Sequence, residues 1–170
     1  MRRIVRLAAV AALAALGAAF GVQAQTVLWS RAWNGPSGAS ASLGDGYIIG
    51  RSLAADRSGN ILAAGAAGSG DSADFLTTKV NGATGAIVWQ QSFAGAAGKE
   101  DDAMSVAADA SGNAIVAGLT FDASGNIAIV VVKYGAADGV ALWQVTLGGA
   151  SYATPFVVAT DAAACGGRAR

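Results

Sequence analysis

The chain repeats itself at intervals of 53 to 60 residues, and this repeat limits its fold more than any other feature. The phrase DRSGNILAAG at 56–65 returns as DASGNAIVAG at 109–118. Tryptophan recurs at Trp29, Trp89 and Trp143, at spacings of 60 and 54 residues. Periods of this size are typical of propeller blades or helical arrays, in which one small unit is stacked several times.

The composition of each copy favours strands over helices. The apolar runs are short, rich in Val, Ile, Ala and aromatic residues, and bounded by Gly, Asn or Asp. The chain contains 24 glycines and lacks long apolar faces at helical spacing. In the second copy the predicted strands are 103–108, 114–118, 126–134 and 140–147. One four-stranded antiparallel meander per period indicates a β-propeller blade, so we expect an all-β fold with about two complete blades and flanking strands.

The repeat region spans 25–161 and divides into units 29–88, 89–142 and a partial unit 143–161, followed by an irregular tail at 162–170. After ATPFVVATD the repeat requires x-S-G-N, but the sequence continues AAACGGRAR. Propellers have about four to eight blades, because closure removes exposed strand edges. Two explanations stay open. The chain is the N-terminal fragment of a longer propeller, or its copies form a homo-oligomer that closes the ring.

The second unit carries a longer signature than the opening phrase. From position 101 it reads D-x-A-x-x-V-A-x-D-x-S-G-N-x-x-V-A-G, then a V-V-K-Y strand and a closing G-x-x-x-W. In these motifs the chain resembles the bacterial SBBP β-propeller repeats. The endings NGATGAIVW and AADGVALW are also similar to the turn of quinoprotein (pyrroloquinoline-quinone) propeller repeats. The resemblance implies an incomplete propeller in an exported protein, and it implies no particular activity.

The first 24 residues have the pattern of a secretory signal peptide. Arg2, Arg3 and Arg6 form a positive region, an apolar run follows at 7–20, and a small-x-small cleavage pattern ends at Ala24. A retained membrane anchor is the alternative, but a span needs about 20 apolar residues and this run is shorter. We therefore expect cleavage after Ala24 and a secreted, periplasmic or cell-surface protein without further membrane contact.

Charge and residue content exclude several classes of function. Loss of the three N-terminal arginines leaves 8 basic and 11 acidic residues, a net charge of about −3. Without a basic cluster we expect no nucleic-acid partner. The chain has no histidine, which excludes Ser-His-Asp and Cys-His mechanisms within it. Cys165 is the only cysteine, so an intrachain disulfide is impossible.

The repeated Asp-x-Ser-Gly-Asn phrase is either a calcium loop or a turn. A calcium loop needs several converging oxygen ligands, whereas 56–60 and 109–113 each contain one carboxylate. In a turn, the Asp or Ser side chain accepts backbone N–H groups, and Gly adopts an angle that other residues disfavour. A third copy at 122–126 falls elsewhere in the unit, as expected of a generic turn. The phrase therefore predicts hairpins and no metal site.

The remaining charged positions also have structural interpretations. We expect Glu100 and Asp101 to be solvated loop charges and Asp102 to cap the entrance to the first strand of the second unit. Adjacent carboxylates in one loop do not form the opposed pair that glycosidases use. Lys79 and Lys133 recur at a spacing of 54 residues. Their stems are expected to cover the sheet with the ammonium groups in water.

These patterns predict no catalytic, cofactor-binding or metal-binding residues. The tryptophans recur at strand ends, which favours packing over stacking on a sugar or quinone. We expect an exported scaffold or binding module that takes a protein or glycan ligand on its strand-connecting loops. These loops are 36–46, 66–73, 95–101 and 119–125. The alternative is a fragment of a quinoprotein dehydrogenase, which requires further Trp-ended units and an acidic axial site for a metal and the quinone.

Overall fold

The computed structural model describes residues 27–32, 34–35, 41–42, 52–68, 73–95, 98–148 and 157–160. The expected signal peptide, Cys165 and the 162–170 tail lie outside these residues. The chain divides into two units, Met1–Ser30 and Arg31–Arg170. Residues 27–30 of the first have neither helix nor strand, and all described strands lie in the second. Within the described ranges, no helix is long and apolar enough to cross a membrane.

The described strands form two antiparallel sheets in the order of the chain. The first sheet is a meander of β2 to β5, and the short β1 pairs with the far end of β3. The second is a meander of β6 to β9. The strands are β1 Ala41–Ser42, β2 Leu53–Ala55, β3 Ile61–Ala67, β4 Asp74–Val80, β5 Ile87–Phe93, β6 Asp102–Ala108, β7 Ala114–Phe121, β8 Ile127–Tyr134 and β9 Ala141–Leu147. The all-β class is therefore confirmed, and so are the four strands predicted for the second unit.

The Asp-x-Ser-Gly-Asn phrase forms the turn between β2 and β3. Asp56 Oδ1 accepts the backbone N–H groups two and four residues later, at 2.9 and 2.8 Å. Gly59 has a φ of +78°, which other residues adopt only with strain. The same bonds recur at 109–113, between β6 and β7, and at 122–126, between β7 and β8. The predicted hairpins are confirmed, including the third copy at its different place.

The two sheets pack face to face, and their core is made by side chains that alternate along each strand. One face of the first sheet contributes residues from β3, β4 and β5, and the facing side of the second contributes residues from all but its last strand. The buried cluster contains Leu62, Ala64, Phe75, Trp89, Ala103, Val106, Ala114, Val116, Val130, Val132 and Tyr134. Small residues among these let the sheets approach closely. A methyl group at Gly118 would clash with the Asp102 carbonyl oxygen and the Phe75 ring.

Each sheet has an irregularity at the same point of the repeat. The register between β4 and β5 shifts after Lys79, which lies opposite Trp89. The register between β8 and β9 shifts after Lys133, which lies opposite Trp143. A bulge of this kind bends the strand and redirects its side chains. In both sheets the lysine and the tryptophan are paired directly across neighbouring strands, so they lie on the same face.

Residues 157–160, which belong to the partial third unit, lie beside β6. The Val158 N–H donates to Ser105 Oγ at 2.9 Å, and the Thr160 hydroxyl donates to the Ala108 carbonyl at 2.7 Å. Strands β2 and β6 also contact each other. The corresponding segments β2, β6 and 157–160 are therefore stacked in chain order.

Candidate functional site

Lys79 is buried in an ion pair with Asp56, which lies in the turn between β2 and β3 of the same sheet. Its Nζ lies 2.9 Å from Asp56 Oδ2, and the side chains of Lys79 and Asp56 are 4 % and 2 % exposed. The expectation of an ammonium group in water is wrong for Lys79. The reason is that the second sheet covers this face and supplies further acceptors.

Those acceptors are two backbone carbonyl groups in turns of the second sheet. Lys79 Nζ donates to the carbonyls of Gly112 and Ala136, each at 3.0 Å. An ammonium group has three N–H donors, so Asp56 and these two carbonyls satisfy it completely. The Trp89 indole N–H also donates to the Ala136 carbonyl, at 3.2 Å. We call Asp56, Lys79 and Trp89, with the two carbonyls, the cross-sheet cluster.

The turns that receive these bonds are fixed to each other. The Ala136 N–H donates to Asn113 Oδ1 at 3.0 Å, which joins the β8–β9 turn to the β6–β7 turn. Trp89 also packs on the ring of Tyr134, with centroids 5.9 Å apart. Burial raises the pKa of Tyr134 to about 12, so the phenol stays neutral. The packing role predicted from the recurrence of tryptophan is therefore confirmed for Trp89.

The carboxylates of the turns are held in their charged form. Burial raises the pKa of Asp56, but hydrogen bonds from the Asn60 side chain and from Lys79 outweigh it, so the net pKa lies below its usual value. Burial also raises the pKa of Asp109. The bonds from Lys133 and Asn113 outweigh it there and lower the pKa to about 2. Groups with such low pKa values are poor general acids near neutrality.

The second copy of the cluster is present in part. Lys133 Nζ lies 2.8 Å from Asp109 Oδ2, with the two side chains 17 % and 18 % exposed. Trp143 is 43 % exposed, whereas Trp89 is 5 % exposed. Among the described residues, the Lys133 ammonium has Asp109 as its acceptor. The lysine and tryptophan therefore repeat in sequence, but their burial differs between the two sheets.

The opposite end of the sheets carries the loops in which a ligand was expected. Of these, most of 36–46 and half of 66–73 fall outside the described residues. The 95–101 loop is fastened to the β7–β8 turn, because Lys99 Nζ lies 4.8 Å above the Phe121 ring and 3.5 Å from the Gly125 carbonyl. Glu100 is exposed, as expected.

Asp101 is buried, and the expectation that it is a solvated loop charge is wrong. It is 2 % exposed, and its carboxylate accepts the Gly95 N–H. Its own N–H donates to the Ala73 carbonyl at 2.8 Å. Asp102 follows as the first residue of β6, at the strand entrance where it was expected. The buried carboxylate thus closes the loop that connects the sheets.

A cleft of about 570 Å³ lies beside this loop, at the ends of β5, β7 and β9. Two buried oxygen atoms next to Gly95, Thr120 Oγ1 and Asp101 Oδ1, have no hydrogen-bond partner among the described residues. The cleft is lined by Phe93, Ala94, Gly95, Thr120, Phe121, Asp122, Ala123, Gln144 and Thr146. Phenyl rings together with hydroxyl and amide groups can bind a small polar ligand by contact and hydrogen bonds.

The described residues contain no group of three or more Cys, Asp or Glu side chains that could hold a metal ion. The Asp carboxylates in the three repeated turns accept N–H groups of their own turns. No catalytic, cofactor or metal residue was predicted from the sequence. Sequence reasoning missed Asp101 and the acceptors of Lys79. For the environment of Lys79, the one available signal was that lysine and tryptophan recur together at a spacing of 54 residues.

Comparison with the models of known protein families finds no match. A search of the curated proteins finds no significant match either. The function of the chain is therefore inferred from the arrangement of its own residues.

Proposed function

We propose that the chain is an exported, non-catalytic β-propeller repeat protein of the SBBP type that acts as a scaffold or binding module. The observation that carries this proposal is the cross-sheet cluster. It uses Asp56, Lys79 and Trp89 of the first sheet to join that sheet to two turns of the second. The charged groups of this cluster, Asp56 and Lys79, are thus engaged in packing one sheet on the next.

The repeated geometry supports a propeller-type arrangement. Both sheets contain a four-stranded meander with the same turn, the same bulge and the same Lys–Trp pair. They pack face to face in chain order, as blades do around an axis. The motifs that resemble SBBP repeats lie on these shared elements.

The ligand-binding end is proposed to be the cleft beside Asp101. Its volume of about 570 Å³ lies within the usual range for small-ligand sites. The lining combines Phe93 and Phe121 with Thr120, Gln144 and Thr146. Such a set suits an uncharged polar ligand, and a short glycan has that chemistry. The rigid sheets would position the loops, as is common for binding sites on repeat scaffolds.

The proposal is tested by expressing the complete chain in a bacterium and measuring the mass of the product in the periplasm or medium. We expect an N-terminus at Gln25. The purified protein is then applied to an oligosaccharide array. Thr120→Val and Gln144→Leu should weaken binding, whereas Arg57→Ala, exposed in a turn at the other end, should not.

Two results would contradict the proposal. One is a product that stays in the cytoplasm at full length. The other is a chromophore that remains bound after pyrroloquinoline quinone and calcium are added and the protein is desalted, because this indicates a quinoprotein. If a protein binds in place of a glycan and the cleft variants weaken that binding, the binding role stands and the class of partner changes.

A further inference from the structure

The second sheet has an outer face that repeats the packed face of the first sheet. The positions of Leu62, Phe75 and Trp89 correspond in the repeat to Ile115, Ile129 and Trp143. The first three are between 0 % and 5 % exposed because the second sheet covers them. The corresponding face of the second sheet is equally apolar, so its chemistry is that of a packed surface.

This outer face is open at its β9 side. Trp143, Val145 and Leu147 are 43 %, 47 % and 58 % exposed. They alternate along β9 and therefore lie on one side of the sheet. Contiguous exposed apolar side chains of this size mark interaction surfaces.

The open face also carries the donors of a second cross-sheet cluster. Lys133 pairs with Asp109 at 2.8 Å, as Lys79 pairs with Asp56. Among the described residues, no backbone carbonyl accepts from Lys133 or from the Trp143 indole. A partner that covers this face must therefore supply carbonyl oxygens, since buried N–H donors without acceptors are costly.

We propose that this face is a docking surface for a further copy of the same four-stranded unit, whose two turns supply carbonyls to Lys133 and Trp143. The unit presents such acceptors as a fixed pair. In the second sheet the Asn113 side chain joins the turn that holds Gly112 to the turn that holds Ala136. Both carbonyls therefore reach one lysine at 3.0 Å without rearrangement.

The segment of the partial third unit that corresponds to β2 and β6 indicates on which side the copy would stack. Residues 157–160 already contact β6 through hydrogen bonds to Ser105 and Ala108. Strand β6 contacts β2 in turn. A unit that continues from 160 therefore begins beside the open face. The inference rests on the propeller-type stacking proposed above and does not depend on export or on the ligand.

The test uses lysine accessibility, because the chain has three lysines in three environments, Lys79, Lys99 and Lys133. The natural chain is compared with an extended chain in which a copy of residues 109–147 follows Thr160, with the copy's own lysine replaced by arginine. Both are labelled with an amine-reactive acetylating reagent and mapped by mass spectrometry. We expect acetylation of Lys133 to slow at least tenfold in the extended chain, toward the rate of Lys79. Exposed Lys99 should be unchanged.

A matched control introduces Leu147→Glu into both chains. In the natural chain this side chain is exposed, so the substitution should have little effect there. In the extended chain it places a carboxylate in the apolar interface and should restore fast labelling of Lys133. A second measurement compares Trp143→Phe in the two chains. The loss of thermal stability should be larger in the extended chain.

Unchanged Lys133 labelling in the extended chain, or an equal loss from Trp143→Phe in both chains, would overturn the proposal. Protection of Lys133 that increases with the concentration of the natural chain, together with a dimer in light scattering, would support it, since the second chain brings the same unit to the face. The glycan-array and export experiments test the proposed function on the natural chain alone. A negative result there leaves the Lys133 labelling comparison, and the docking proposal that it tests, unaffected.

Discussion

The Lys79 ammonium and the Asp56 carboxylate lie 2.9 Å apart with both side chains almost completely buried. A buried pair gains from direct attraction but loses the hydration of both ions. Here the loss is offset by backbone groups: two carbonyls around the ammonium and two N–H groups around the carboxylate. The hydrogen bonds of the pair are therefore satisfied by the β2–β3 turn of its own sheet and by the β6–β7 and β8–β9 turns of the second sheet.

Lys79→Met should destabilise the fold by about 3 to 5 kcal/mol, because it leaves a buried carboxylate and two carbonyls without their cation. Lys133→Met is the matched control, since its pair is more exposed, and it should cost about 1 kcal/mol or less. Urea denaturation of both variants measures the difference. Equal decreases in the free energy of unfolding would show that the greater burial of the Lys79–Asp56 pair does not affect stability.

Acid should destabilise the protein through Asp109, whose pKa is about 2 when folded against 3.8 for an unperturbed group. Because the folded pKa is the lower one, the unfolded chain takes up a proton first. The stabilisation is complete above about pH 4 and is lost as the pH falls toward 2. Asp109→Asn should flatten the fall in unfolding free energy across this window. An unaltered pH profile in that variant would contradict the assignment.

Gly118→Ala should cost about 1 to 3 kcal/mol, because a methyl group there would overlap the Asp102 carbonyl oxygen and the Phe75 ring. Gly59→Ala tests backbone strain alone, since its φ is +78° and nothing lies within 4 Å of the added carbon. It should cost about 1 to 2 kcal/mol. Thermal unfolding with the second substitution Phe75→Leu separates the two causes. Phe75→Leu should reduce the penalty at Gly118 and leave that at Gly59 unchanged.

Asp101→Ala should destabilise the loop between the sheets by about 1 to 3 kcal/mol, because the partly buried Gly95 N–H loses its acceptor. Glu100→Ala, at the exposed neighbouring position, should change the unfolding free energy by about 0.5 kcal/mol or less. Amide hydrogen exchange at Gly95 reports the loss directly. Unchanged exchange in Asp101→Ala would rule out this bond in solution.

The local elements of the fold could be predicted from the sequence. The strands follow from short apolar runs bounded by Gly, Asn and Asp. The turn at 109–113 follows from Asp109, which accepts its own backbone N–H groups, and from Gly112, whose φ is +79°. Both signals act over five residues, so they need no knowledge of distant contacts.

The environments of Lys79 and Asp101 could not be predicted in this way. Lys79 reaches carbonyls 33 and 57 residues further along the chain, and backbone carbonyls leave no trace in a sequence pattern. Asp101 is adjacent in sequence to exposed Glu100, and only the loop path turns one inward and the other outward. Side-chain identity therefore indicated which positions repeat, but not what surrounds them.

The acceptors that join the sheets are main-chain atoms, and this affects how such a chain can change over generations. Gly112 and Ala136 present their carbonyls whichever side chains stand at those positions, provided that the turns keep their shape. A duplicated or deleted unit would therefore find a compatible neighbour without any compensating substitution. A change in the number of units would therefore leave the chemistry of a junction of this kind unaltered.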